Sequence, residues 1–178
     1  MGDMNGLLQT LCLATIPLAT ILCGCASQEQ KNPTDPLAQV RLGDKYTMGT
    51  WTITKNDETA AGWYRKAALQ GDAEGQYHLG LCYDRGLGVP KDSKLAHEWY
   101  HKAARQGNAA AQYELGTCYR LAKGVSPDLC KAYMWFNLAA ASGSENAREA
   151  REAVAQRMTV EQIHKAELMS REVWEHSR

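Results

Sequence analysis

From Asp57 to Gly143 the apolar and small residues follow a pattern that returns every 36 positions without a gap. Ala60, Tyr64, Ala67 and Ala68 recur at helical spacing, which predicts a helix with one apolar stripe. Trp63, Trp99 and Trp135 mark the same place in three copies of that helix. In each copy it closes on a glycine, Gly71, Gly107 or Gly143, suited to a left-handed C-terminal cap. Asp72, Asn108 and Ser144 follow at once, and all three are good N-caps, so a second helix starts immediately. Gln76–Tyr83 lies over Gln112–Tyr119 in this second helix, and Gln39–Tyr46 is a further copy displaced by 37, its loop one residue longer. Gly80 and Gly116 sit in the helix interior, where glycine costs about 1 kcal/mol against alanine. Their recurrence predicts close helix–helix approach. A glycine-rich turn, Gly86–Pro90, then leads to the next copy. Such helix pairs cannot bury their apolar faces alone and must stack on neighbours.

The pattern changes towards the C-terminus. Glu152 stands where Gly80 and Gly116 stood, so no further repeat is expected to pack there in the same way. Thr159-Val160-Glu161-Gln162 has the form of a capping box. Val160, Ile163, Ala166, Met169 and Val173 follow as one apolar stripe. Residues 159–178 are therefore read as a helix that caps the array, and residues 37–158 as the repeats.

The segments W-Y-x-K-A-A-x-Q-G and A-x-x-Q-Y-x-L-G-x-x-Y, the G-x-G-V loop, and the Lys131–Ala139 segment resemble the Sel-one-like repeat family, a relative of the tetratricopeptide repeats. The resemblance runs from about Ala38 to Trp174. It implies an all-α, right-handed α-solenoid of stacked antiparallel helix pairs with period 36. Such arrays present a concave surface and usually bind a peptide or protein there. The variable positions of the tryptophan-bearing helices are the expected contact surface: Arg65, His97, Glu98, His101, Arg105, Tyr133, Met134 and Asn137. The function this implies is a non-enzymatic protein-interaction scaffold. An envelope enzyme acting on cell-wall material, as proposed for some cysteine-rich relatives, and a peptidoglycan-binding protein are the alternatives. In relatives with a disulfide in each repeat the cysteines lie near the helix-pair turn, where this chain has Ala68 and Gly75, so that framework is absent here.

Composition and charge narrow the picture. Lys+Arg and Asp+Glu are both 20, with no basic excess to point to nucleic acid. The first 25 residues contain no Lys or Arg, and Leu11–Cys23 is almost wholly apolar. That stretch is too short for a comfortable membrane span and fits the apolar region of an export signal. Leu22-Cys23-Gly24-Cys25 resembles a bacterial lipobox, with cleavage before Cys25 and lipid on its thiol. Asp3 and the missing basic residues depart from that pattern. Residues 26–36 read as a polar tether. Ala26 after the cysteine, in place of aspartate, favours the outer over the inner membrane, with the protein facing the periplasm.

His97-Glu98-Trp99-Tyr100-His101 spells H-E-x-x-H, the zinc-protease motif, whose two histidines share one helix face. Catalytic zinc needs a third protein ligand. The longer form of the motif would want glycine at 104 and histidine at 107, and the chain has Ala104 and Gly107. Trp99 and Tyr100 are explained by the repeat, so the stretch is read as a solvated helix face, with no metal or other cofactor assigned, and zinc held by His97 and His101 stays open as one form of the enzyme alternative. Cys82 and Cys118 share one repeat position and suit small buried slots, although a Cys118–Cys130 pairing stays open in an oxidising envelope. No nucleophile elbow or phosphate-binding loop is present.

Overall fold

A computed structural model describes residues 33–50 and 52–176, and the export signal, Cys25 and the lipid reading lie outside them. Among the described residues there are eight α-helices and no strand. They are α1 (Pro36–Met48), α2 (Asp57–Leu69), α3 (Ala73–Arg85), α4 (Ser93–Arg105), α5 (Ala109–Leu121), α6 (Leu129–Ala141), α7 (Glu145–Ala155) and α8 (Val160–His176).

The caps define these helices. Asp35, Asn56, Asp72, Asp92, Asn108, Asp128 and Ser144 each accept a backbone N–H from the first turn of the helix they precede. Gly71, Gly107 and Gly143 hold φ near +90°, which lets one helix end and the next begin within two residues. Before α8 the capping box forms as expected: Thr159 N–H donates to Gln162 Oε1 at 2.9 Å, and Gln162 N–H donates to Thr159 Oγ1 at 3.3 Å.

Stacking follows a rule that the interior glycines set. A Cβ on Gly80 would lie 2.7 Å from the ring of Tyr100, and one on Gly116 would lie 2.7 Å from Phe136. Gly43 meets Tyr64 in the same way. The odd helix of each pair thus carries a bare patch onto which the even helix lays an aromatic ring. Tyr100 and Phe136 are fully buried there, and Ala60, Tyr64, Ala67 and Ala68 form the expected core stripe. Between pairs, the loop glycines Gly88 and Gly124 back directly onto the carbonyls of Asp57 and Ser93 at the starts of α2 and α4. The result is an all-α solenoid in which α2, α4 and α6 each pack on the odd helices before and after them.

The C-terminal cap departs from the stripe read in the sequence. α8 packs chiefly on α6 and buries Ala166 and Ser170, with Ile163, Met169 and Val173 half-buried. Val160 is 78% exposed, because the first residue after the cap precedes the turn that meets α6. Glu152 is exposed.

Candidate functional site

The eight residues expected to form a contact surface lie on α2, α4 and α6, and the structure does not leave them as one open face. Tyr133 and Met134 are buried, 7% and 4% exposed. α8 covers this side of α6, and Ser170 Oγ lies 3.4 Å from the Met134 carbonyl. Burial, then the nearby Glu167, pushes the Tyr133 hydroxyl above its ordinary pKa. These two side chains are core, which corrects the sequence reading. The reason is that the capping helix packs on that face. Arg65 is exposed and donates from Nη2 to the Tyr83 hydroxyl at 3.2 Å. Asn137 Oδ1 accepts from Arg151 Nη1 at 3.0 Å. Glu98 and Arg105 are exposed.

His97 and His101 share one side of α4, with ring centroids 6.3 Å apart. They are not solvated as expected. His97 meets Tyr119 edge-on at 5.3 Å, and His101 meets Trp135 edge-on at 6.0 Å. Burial lowers both pKa values, helped by the neighbouring imidazole at His97 and by Arg105 at His101. Among the described residues no group of three or more His, Cys, Asp or Glu is placed to hold a metal ion. The H-E-x-x-H stretch is therefore an aromatic joint between pairs. Cys82, Cys118 and Cys130 are free thiols, and burial raises Cys82 to about 11 and Cys118 to about 12. These values describe inert packing thiols.

The odd helices border clefts that the sequence reading passed over. A cleft of about 190 Å³ lies among α1, α2 and α3, lined in part by Asp44, Met48, Tyr64, His78, Leu81 and Arg85. Tyr64 OH donates to Asp44 Oδ1 at 2.9 Å, and its ring stacks on His78 at 4.6 Å. His78 Nε2 also lies 3.3 Å from Glu74 Oε1. A second cleft, of about 360 Å³, lies between α5 and α7. On α5, near Asp84 and Arg85 of α3, the Glu114 carboxyl is pushed above its ordinary range, chiefly by burial. The signal for this face was available at the equivalent positions His78 and Glu114, which differ between flanking residues, Gln76-Tyr77 with Leu79-Gly80 and Gln112-Tyr113 with Leu115-Gly116, that do not.

Polar satisfaction is uneven along the array. Among the described residues, the buried side-chain atoms without a hydrogen-bond partner are His97 Nε2, Tyr100 OH, Gln112 Oε1, Thr117 Oγ1 and Arg120 Nε. All lie on α4 or α5. An unmet buried polar atom costs about 1–3 kcal/mol, so this stretch of the array carries less polar compensation from its own side chains than the rest.

The Sel1 repeat model matches residues 36–72, 73–108 and 109–144. The chain belongs to the Sel1 repeat family. Its repeats pair α1 with α2, α3 with α4 and α5 with α6, one helix out of phase with the pairing suggested by the tryptophans. Among solved structures, the chain is similar to a protective antigen present in uropathogenic Escherichia coli strains and displaying an SLR fold, with 28% identity and a TM-score of 0.67. That match covers 92% of this chain and 42% of the antigen. A Sel1 repeat protein from Oxalobacter formigenes is 34% identical, with a TM-score of 0.62, over 73% of this chain and 57% of that one. A curated relative, DAP3-binding cell death enhancer 1 of Rattus norvegicus, is 44% identical over 46 residues, and the Mus musculus protein matches equally. Those residues are 25% of this chain and 9% of the curated relative, so the chain spans a small part of its length. Sel1 repeat proteins generally mediate protein–protein interaction.

Proposed function

We propose that this chain is a non-enzymatic scaffold of the bacterial cell envelope, anchored by lipid on Cys25, that holds a protein partner on the face formed by α1, α3, α5 and α7. One observation carries the choice of face. On the even-helix side α8 covers Tyr133 and Met134 and leaves a cleft of about 390 Å³ lined in part by Asn137, Glu167 and Trp174, whereas the cleft between α5 and α7 on the odd-helix side holds Arg120, whose buried Nε has no side-chain or backbone partner, beside half-buried Tyr113. Half-buried Tyr77 and Tyr113 on that side offer rigid, amphipathic contact area of the kind that dominates binding energy. A repeated array suits this role because its stacked joints hold the surface rigid at low entropic cost to binding. The envelope and lipid parts rest on Leu22–Cys25 and the apolar leader alone. No helix among the described residues is long and apolar enough to cross a membrane.

A photo-crosslinking residue at Tyr113 in living cells tests the scaffold. One discrete protein adduct is expected, and its absence would contradict the reading. Metabolic labelling with an alkynyl fatty acid tests the anchor: the label should appear on the wild type and vanish in Cys25→Ser.

A further inference from the structure

We infer that the open cleft between α5 and α7 binds a side-chain carboxylate from an acidic segment of the protein partner, with Arg120 as the anchor. This deepens the scaffold reading and rests on it. Three equivalent positions lie four residues after an interior glycine: Thr47, Asp84 and Arg120. In the first copy, Thr47 Oγ1 lies 3.0 Å from the Tyr64 hydroxyl. In the second, Asp84 pairs with Lys123 at 3.2 Å. In the third, the ring that would answer Thr47 is Phe136, which has no hydroxyl to offer. Arg120 Nε is buried and unpartnered, and among the described residues no carboxylate lies within ion-pair reach of its guanidinium.

The cleft around Arg120 is shaped for an anion carried on a chain. It is lined by Tyr113, Arg120, Asn146, Glu149, Ala150 and Ala153. Tyr113 and Asn146 add a hydroxyl and an amide donor, and the two alanines leave room beside them. A guanidinium fork takes a carboxylate through two parallel hydrogen bonds, and partial desolvation strengthens them. Glu149 is the one lining group that opposes an anion. It is exposed, so solvent screens it. The cleft is an open trough and not a closed pocket, which admits a passing segment in preference to a chain end.

The test is a side-chain NMR titration of the full chain, following the arginine Nε–H and Tyr113 signals. Three probes are compared: acetyl-Ala-Glu-Ala-Glu-Ala-amide, its glutamine twin, and that twin with a free C-terminal carboxylate. The glutamate peptide should give a saturable shift at Arg120, and both glutamine peptides should bind about tenfold more weakly. Arg120→Gln should abolish the Tyr113 shift, Arg120→Lys should keep a weakened one, and Glu149→Gln should tighten binding severalfold. Equal titration by the glutamate and glutamine peptides would overturn the proposal. So would preference for the free chain end, or saturable shifts at other arginines but not at Arg120. If the peptides fail while the crosslinker at Tyr113 still traps a protein, the carboxylate site falls and the scaffold stands.

Discussion

In the first two repeats a glutamine at the end of the even helix reaches back to one on the odd helix: Gln70 Nε2 to Gln39 Oε1 and Gln106 Nε2 to Gln76 Oε1, both at 2.8 Å. Gln76 passes the bond on to the Ala68 carbonyl of the preceding repeat. In the third repeat Ser142 stands at that position and turns its hydroxyl to its own Leu138 carbonyl. Gln112 still donates to the Ala104 carbonyl, but its Oε1 is left without a partner. The same repeat has Phe136 for tyrosine, Arg120 for a paired side chain, and Ala122 for the left-handed Gly86. Its ring-over-glycine joint is nonetheless the same as in the other two. The backbone plan is thus fixed by shape, and the polar bonds laid over it are separable. Where they are dropped, as at Gln112 Oε1 and Arg120 Nε, side-chain polar atoms are left without a partner from the fold.

The largest effect should come from breaking the shape itself. Gly116→Val drives its side chain into Phe136 and should cost about 2–3 kcal/mol in urea unfolding. Glu152→Val, at the equivalent but exposed position of α7, should stay within about 0.5 kcal/mol of wild type. Next comes the glutamine ladder. Gln106→Ala strands Gln76 Oε1 and should cost about 1–2 kcal/mol, whereas Ser142→Gln should add the missing rung and gain about 1 kcal/mol by the same measurement. Ala122→Gly should then gain roughly 1 kcal/mol, because φ of 58° is strained for alanine and free for glycine.

The smallest effect is electrostatic. Folding holds His97 and His101 below the ordinary value of 6.5, so the unfolded chain takes up their protons first as pH falls. Their contribution is full above pH 6.5 and is lost as pH drops from there through the lowered folded values. Glu114 works in the opposite sense, since its raised carboxyl makes the folded state the better proton binder above 4.5. The expected outcome is a pH slope in stability that flattens in the His97→Asn/His101→Asn variant relative to wild type, read by unfolding at several pH values.

Much of the fold was legible because repetition multiplies weak signals. A single mid-helix glycine is ambiguous, but Gly80 and Gly116 at one position announce a close joint, and the joint is there. Helix ends were equally readable, since Asp72, Asn108 and Ser144 cap by local chemistry alone. The surface was not. Tyr133 and Met134 occupy variable positions, and variability looks the same whether a partner or the chain's own α8 covers the residue. His97 and His101 looked solvated because their contacts, Tyr119 and Trp135, come from the next repeat. The repeat pattern shows which residues differ, and only the packing of non-adjacent helices shows which of them face outward.

The odd-helix face of the third repeat is where the proposed partner should sit. The most direct measurement moves one photo-crosslinking residue through the equivalent positions Tyr77, Tyr113 and Glu149 on the odd helices, and Gly62 and Glu98 on the even helices, in living cells. The same protein adduct should be trapped from Tyr113 and Glu149, more weakly from Tyr77, and not from Gly62 or Glu98. An adduct confined to Gly62 and Glu98 would place the partner on the opposite face and contradict the account.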